Sequence, residues 1–209
     1  MLKVGEDLQD IWQAQAFSTY ASSEIVTTFC ECTAQQGGHL LPDLAIVEIV
    51  DKNGTVLSPD NVGEIVVTPM AVEGMPLIRF KTGDVSFLID EKCSCGRSSS
   101  RLGPILGRKK QMMKIKGTTL YPQAIYSALE EIGAINDYYV IVSKESKLSD
   151  IIKINVSVND PSCTRDMIQD KLRARLRVKP EIVIIDSEAI KREIYTSKSR
   201  KPIRFIDRR

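Results

Sequence analysis

Cysteine and histidine carry the most legible chemistry in this chain. Cys30, Cys32, Cys93 and Cys95 form two Cys-x-Cys pairs, Cys163 stands apart, and the single histidine, His39, follows Cys32 by seven residues across a Gly37-Gly38 turn. Thiolates and imidazole together suit zinc, which takes four such ligands tetrahedrally in structural sites. Cys93-Ser94-Cys95-Gly96 is a tight knuckle that puts both thiolates on one side of a turn. The pattern predicts a closed, structural zinc site of Cys32, His39, Cys93 and Cys95, with Cys30 as the competing fourth ligand if His39 merely packs. The plain alternative is small buried side chains and a knuckle without metal. Five cysteines, four of them paired at close spacing, favour metal over disulfides in a reducing compartment.

Three further groups have chemical potential. Tyr20-Ala21-Ser22-Ser23-Glu24 leads into a β-branched run, and a hydroxyl beside a carboxylate can hold a phosphate oxygen and a magnesium ion together. Arg79-Phe80-Lys81-Thr82-Gly83-Asp84 sets a carboxylate on a tight loop, where it can accept two hydrogen bonds from a ribose diol. Lys201, in Ser199-Arg200-Lys201-Pro202, can carry an ammonium to a developing negative charge. Each of these, taken alone, is better explained as a solvated turn or a C-terminal cation.

The elements that must position these residues fall into two textures. Residues 1–107 hold 7 Lys+Arg against 14 Asp+Glu, and residues 108–209 hold 22 against 13, so the charge changes sign at Arg108. Residues 1–14 read as a helical fragment. Strand-like runs follow at Ile25–Cys32, Ala45–Val50, Gly63–Pro69, Leu77–Phe80 and Val85–Ile89, with a Lys81–Asp84 loop between the last two and a hairpin-type turn at Asp51–Gly54. This half reads as a β-rich, barrel-like unit.

Beyond the basic stretch Gly107–Gly117, a strand at Met112–Ile115 precedes a helix opened by Pro122, with Ile125, Ala128, Leu129 and Ile132 on one face and Gly133 as its stop. Strands at Tyr138–Val142 and Ile151–Val158 flank the charged turn Lys144–Asp150. Asp160-Pro161-Ser162 is expected to cap a second helix, and Glu181–Asp186 is a last strand. The order β-α-β-β-α-β is the ferredoxin-like plan, which makes the whole an α+β protein of two domains, 1–107 and 108–209. The tail is basic and ends in an apolar strand, Ile203–Ile206.

A composition of 43% hydrophobic and 27% charged residues gives each half enough apolar matter for a core and argues against disorder. The positive excess sits in one half only, so nucleic acid is not indicated. No apolar run is long enough for a membrane span and no signal-peptide pattern opens the chain, which points to the cytoplasm.

Taken in sequence, Tyr20–Glu24, Gly63-Glu64, Arg79–Asp84, Cys93–Arg97, Gly107-Arg108 through Lys116-Gly117, Leu120-Tyr121-Pro122 and Lys201–Asp207 resemble the adenylate-forming superfamily of acyl/aryl-CoA ligases, and most closely its phenylacetate–coenzyme A ligase family. The resemblance runs from about Trp12 onward. It implies two half-reactions: ATP and a carboxylate give an acyl-adenylate and pyrophosphate, and coenzyme A then takes the acyl group as a thioester.

By the same resemblance Glu24 binds magnesium, Ser23 the phosphate, Tyr20 lies beside the adenine, Asp84 holds the ribose hydroxyls and Arg108 contacts the nucleotide. Lys110 falls at the pivot of the mobile C-terminal domain, Gly117 faces the thiol tunnel, and Lys201 is the adenylation lysine. The Cys32, His39, Cys93 and Cys95 pattern resembles the family's own cysteine/histidine set. Ala21 stands where relatives usually have Gly.

Relatives also carry a Gly/Ser/Thr-rich phosphate loop and an acyl pocket before the Tyr-x-x-Ser-Glu segment. The chain is therefore expected to be the C-terminal fragment of such a ligase, inactive alone, with a second chain or a second copy covering its exposed strands. An adenylating enzyme with an acceptor other than coenzyme A and a non-catalytic, zinc-stabilised scaffold are the competing readings.

Overall fold

A computed structural model describes residues 3–70, 72–144, 149–195 and 201–209. The chain divides into two compact units, Met1–Lys110 and Gln111–Arg209.

The first unit opens with helix α1 (Lys3–Trp12), whose Ile11 and Trp12 are exposed. Nine strands follow: β1 (Thr19–Ser22), β2 (Val26–Glu31), β3 (Gly38–Leu40), β4 (Ala45–Val50), β5 (Gly63–Pro69), β6 (Phe80–Ser86), β7 (Leu88–Ile89), β8 (Arg101–Leu102) and β9 (Gly107–Arg108). They form two sheets, ordered β1-β2-β3-β8-β7 and β4-β5-β6-β9. Ile25, Phe29, Ala45, Ile49, Ile65, Val67 and Leu102, contributed by both sheets, make one buried cluster. Each of the larger side chains among them, taken fully from water, is worth about 1.5–3 kcal/mol.

The Asp51–Gly54 turn forms as the sequence suggests, with Asp51 Oδ1 accepting from the Asn53 and Thr55 backbone N–H groups at 2.8 and 2.9 Å. The expected Lys81–Asp84 loop does not separate two strands. It lies inside the single strand β6, bulged where Gly83 takes φ +79°: Glu64 pairs with Val85 and Val66 with Lys81, so three β6 residues face one on β5.

A 3-10 turn, Lys109–Gln111, leads into the second unit. There β10 (Met113–Ile115) and β11 (Thr118–Leu120) form a hairpin. Helix α2 (Pro122–Glu130), β12 (Ile135–Lys144), β13 (Asp150–Val158), α3 (Arg165–Leu176), β14 (Glu181–Ile184), α4 (Ser187–Ile194) and β15 (Phe205–Asp207) follow. The main sheet is ordered β14-β13-β12-β15, antiparallel at its centre and parallel at both edges.

The elements of the β-α-β-β-α-β plan thus occur in order, but β10 pairs with β11, and the edge of β12 is taken by β15 from the basic tail. Ile125, Leu129, Ile168 and Leu172 from the helices pack with Val140, Val142, Ile152, Ile154 and Val156 from the sheet. The second helix is capped by Thr164, whose hydroxyl accepts from Met167 N–H, whereas Asp160 closes a turn by accepting from Ser162 N–H. The basic face Lys171, Arg173, Arg175 and Arg177 is exposed, as expected of a solvated surface. Among the described residues no helix is long and apolar enough to cross a membrane.

Candidate functional site

The first unit carries two groups of functional side chains. The polar one begins at the β1–β2 hairpin. Its loop is Ser23-Glu24-Ile25, closed by the Ser22–Val26 pair. Ile25 is buried in the core, and Val26 adopts φ +51°, a left-handed conformation that a β-branched residue rarely takes. The buried anchor and the strained turn leave Ser23 and Glu24 exposed at the tip. Glu24 Oε2 accepts from Ser22 Oγ at 2.7 Å, and that bond is the main reason its carboxyl lies below the usual range. Glu24 is thus a carboxylate at neutral pH, and the hydroxyl it engages is that of Ser22, not Ser23.

Two residues back along β1, roughly 7 Å at the strand rise, Tyr20 turns inward against Phe29. Its phenol donates to Asp84 Oδ2 at 2.9 Å. The other carboxylate oxygen of Asp84 lies 3.3 Å from Arg108 Nε. Asp84 and Arg108 are direct cross-strand partners in the β6–β9 ladder, so the bulge at Gly83 and the short strand β9 together set this pair. Thr82 Oγ1 fixes the bulge, donating to Ile65 O and accepting from Asp84 N–H. Burial pushes the Tyr20 phenol far above its ordinary value, so it remains a donor at all physiological pH. Beside this group Lys109 Nζ meets the buried Glu64 carboxylate at 2.7 Å.

The second group joins Cys32, His39, Cys93 and Cys95, whose ligand atoms all lie within 4.8 Å of one another. Cys32 and Cys93 Sγ are 3.6 Å apart, and Cys95 Sγ is 3.3 Å from His39 Nε2. A tetrahedral zinc with ordinary bond lengths needs ligand separations of roughly 3.5–3.8 Å, so donor types and spacing fit that ion. Cys30 lies outside the cluster.

His39 Nδ1 faces Ser99 O and Oγ at 3.2 and 3.1 Å. A proton on Nδ1 satisfies Ser99 O and leaves the Nε2 lone pair toward the cysteines. The Cys93 thiol is drawn down to about 6, first by the Cys95 backbone N–H and then by His39. Cys95 is raised, because burial and the neighbouring thiols outweigh the lowering by the Arg97 N–H. Gly37, at φ +90°, lets the loop after Cys32 close on β8; a Cβ there would lie 2.6 Å from Leu102 O.

Three further expected site residues are Lys110, Gly117 and Lys201. Lys110 ends the first unit. Gly117, at φ +86°, forms with Lys116, at φ +46°, the two-residue turn of the β10–β11 hairpin, whose positive angles suit a type I′ turn. Lys201 is exposed, and its neighbours Ser199 and Arg200 lie outside the described residues. Sequence reasoning missed Ser99, the Lys109–Glu64 pair and Arg101. None of these has a distinctive spacing, and the loop that brings Ser99 to His39 is 60 residues away in sequence.

Residues 117–209 match the family model "AMP-binding enzyme C-terminal domain". The phenylacetate-coenzyme A ligase of Thermus thermophilus is 38% identical over 68% of this chain and 33% of its own length. The Pseudomonas putida phenylacetate-coenzyme A ligase is 28% identical over 75% of this chain and 36% of its own. The chain thus spans about a third of the length of these two relatives. Among solved structures, 2-hydroxyisobutyryl-CoA ligase in the postadenylation state superposes over all of this chain and 46% of its own, with TM-score 0.82 at 20% identity. The o-succinylbenzoate CoA synthetase of Bacillus subtilis, covering 88% of this chain and 40% of its own, gives TM-score 0.65 at 17% identity. These likenesses show a shared fold.

Proposed function

Because the chain belongs to the phenylacetate–coenzyme A ligase family of adenylate-forming enzymes, we propose that its 209 residues supply the nucleotide-facing edge and the mobile domain of an acyl- or aryl-CoA ligase. In the first half-reaction a substrate carboxylate oxygen attacks the α-phosphorus of ATP and pyrophosphate leaves. In the second the sulfur of coenzyme A attacks the acyl carbon and AMP leaves.

The observation that carries the reading is the Tyr20–Asp84–Arg108 group. Asp84 presents a carboxylate whose two oxygens already bind donors, the geometry a ribose diol needs, and the phenol beside it gives a flat face for a base. Arg108 is exposed enough to turn from Asp84 to a phosphate. Glu24 is the carboxylate that would hold magnesium, with Ser23 toward the phosphate. Lys201, delivered by the tail, stabilises charge at the α-phosphate during adenylation. Closure and release of residues 108–209 about Lys110 then exchange Lys201 for the Gly117 hairpin at the thiol.

In this reading residues 1–107 are the barrel-like remnant of the large domain, residues 108–209 are the ferredoxin-like mobile domain, and the Cys32–His39–Cys93–Cys95 cluster holds a structural zinc. Cys32 and His39 on the β2–β3 side and Cys93 and Cys95 on the knuckle would hold the ion, which would tie those two segments together as a structural site. The 209 residues span about a third of the length of the curated relatives. The polypeptide alone is expected to catalyse neither half-reaction.

Calorimetric titration of the chain with AMP tests this, together with ATP–pyrophosphate exchange measured with and without the N-terminal two-thirds of a phenylacetate-coenzyme A ligase. Weak AMP binding lost in D84A, and exchange only in the mixture, are expected. Tight binding with turnover by the chain alone overturns the incomplete-site reading.

A further inference from the structure

Arg101 is an unusual residue to find inside this unit. It is 4% exposed, and none of the ion pairs among the described residues involves it. Its Nη1 donates to Gln36 O at 2.5 Å and its Nη2 to Glu91 O at 3.1 Å, while Nε is buried without a partner. Burying a guanidinium without an anion is costly, by several kcal/mol, so the fold must offer compensation that side-chain carboxylates do not provide.

The two carbonyls it holds are informative. Gln36 lies in the loop from Cys32 to His39, and Glu91 stands two residues before Cys93. Arg101 therefore spans the two segments that bring the cluster together. It is also the direct cross-strand partner of His39 in the β3–β8 ladder. Directly opposed residues of an antiparallel pair project to the same face with Cβ atoms about 4.5–5.5 Å apart. The guanidinium thus shares the sheet face of the histidine that contacts Cys95. Three thiolates and one neutral imidazole around a zinc dication leave one net negative charge, and one guanidinium cancels it.

We propose that Arg101 is a positioning residue of the cluster: it clamps the Gln36 and Glu91 carbonyls, one on each ligand-bearing segment, and supplies the positive charge that balances the anionic three-cysteine, one-histidine zinc complex. This rests on the reading of the cluster as a zinc site. Metal that is missing leaves Arg101 uncompensated, so metal binding and the buried charge stabilise each other.

The test uses the full chain with zinc as the probe. Wild type, R101Q and R101K are titrated with zinc in competition with a chromogenic chelator near neutral pH, and each is melted with excess zinc and with excess chelator. Gln keeps amide donors for the carbonyls and loses the charge, whereas Lys keeps the charge. Wild type is expected to bind about one equivalent, R101Q to bind 10- to 100-fold more weakly, as for other outer-shell partners, and R101K to bind more tightly than R101Q and within about tenfold of wild type, because it keeps the charge but not the grip on both carbonyls. The zinc-loaded form of R101Q is expected to lose melting temperature selectively.

No zinc on the wild type overturns the zinc reading itself. Zinc on the wild type with R101Q unaffected, or with R101K as weak as R101Q, overturns the role of Arg101 alone. Equal losses in the loaded and metal-free melts likewise mark an ordinary structural arginine. If R101Q does not fold, R101K decides: a loss of more than tenfold overturns the charge assignment.

Discussion

The phenol of Tyr20 and the carboxylate of Asp84, 64 residues apart in sequence, meet at 2.9 Å and join the β1–β2 hairpin to the β6 bulge. Two sheets of the first unit are tied together at the point where the proposed ribose contact lies. The carboxylate is held by two donors from different strands, so its direction is fixed before any ligand arrives.

Removing the phenol hydroxyl should therefore loosen both stability and binding. Tyr20→Phe leaves Arg108 as the side-chain donor to Asp84. The expected loss is about 1–2 kcal/mol in urea unfolding of the first unit, in the range for a hydrogen bond to a charged acceptor at a half-buried site. AMP affinity should fall by less than in Asp84→Ala. Unchanged stability in Tyr20→Phe would show that the contact is not made in solution.

Alkaline pH probes the same residue. Burial raises the Tyr20 phenol, moves Tyr126 up to about 12, and raises Tyr138, which donates to Glu130 Oε1 at 2.9 Å. A folded value above the unfolded value, about 10, means a contribution fully present below pH 10 and lost as pH rises through the folded values. Stability followed by denaturant titration should be flat from these groups up to about pH 10 and then decline. In Tyr138→Phe the decline should be shallower. A mutant with the same alkaline limb as wild type would remove Tyr138 from the account.

The cluster makes a third expectation. Cys95→Ser and His39→Ala each remove a proposed zinc ligand, whereas Cys30→Ser does not. The first two should abolish stoichiometric zinc and lower protection against hydrogen exchange in β2, β3 and β8. The third should keep about one equivalent. Protection in β13 of the second unit should not respond to chelator, because structural zinc stabilises the segments it ties. Zinc retained in His39→Ala and lost in Cys30→Ser would transfer the fourth position to Cys30.

Some of this organisation was legible in the residues and some was not. The short apolar runs Ala45–Val50 and Gly63–Pro69 became β4 and β5 with the bounds read from sequence, because brief β-branched runs bounded by turn residues suit strands buried in a sheet. The four cluster residues were also legible, since cysteine and histidine have few uses in common. Helix α4 was missed: its apolar residues are sparse, and its start rests on Asp186, whose carboxylate accepts from Glu188 N–H. The bulge in β6 reads as a loop because Thr82-Gly83-Asp84 carries turn chemistry, and only pairing with β5 keeps it in the sheet. The parallel β12–β15 pairing brings together residues 65 apart, such as Val140 and Phe205, and no local pattern announces it. Arg101 reads locally as one more surface cation.

A fourth prediction concerns Lys201. In the mixture of this chain with the N-terminal two-thirds of a relative, Lys201→Ala should lower ATP–pyrophosphate exchange by about 10²–10³-fold, the range for removing one preorganised donor to developing charge. Thioester formation from a supplied acyl-adenylate should change far less, because the proposed role of Lys201 ends with adenylation. Equal losses in both half-reactions would mean that the tail acts through folding or docking.

The last prediction lies at the C-terminus, where Arg209 ties the β10–β11 hairpin to the sheet. Its Nη1 donates to Met112 O at 2.7 Å and to Asp150 Oδ2 at 3.1 Å, and its Nη2 pairs with Asp207 at 2.7 Å. Asp150 Oδ2 also accepts from Lys114 N–H at 2.8 Å, so one buried carboxylate holds both the hairpin and the arginine. Arg209→Ala leaves that carboxylate short of a charged donor and should cost about 1–3 kcal/mol of the stability of the second unit. Lysine should not restore it, since a single ammonium cannot serve Met112, Asp150 and Asp207 at once. The Arg209 hydrogen bond holds the Asp207 carboxyl below its usual range. A depressed folded value gives stability present above the unfolded value, about pH 4, and lost as pH falls through the folded one. Urea unfolding between pH 7 and 3 should therefore show a gentler acid limb in Arg209→Ala than in wild type. Identical limbs and identical midpoints would rule out the clamp, whereas a loosened hairpin with an intact sheet, seen by hydrogen exchange at Met113–Leu120 against β13, would place its action at the Gly117 turn.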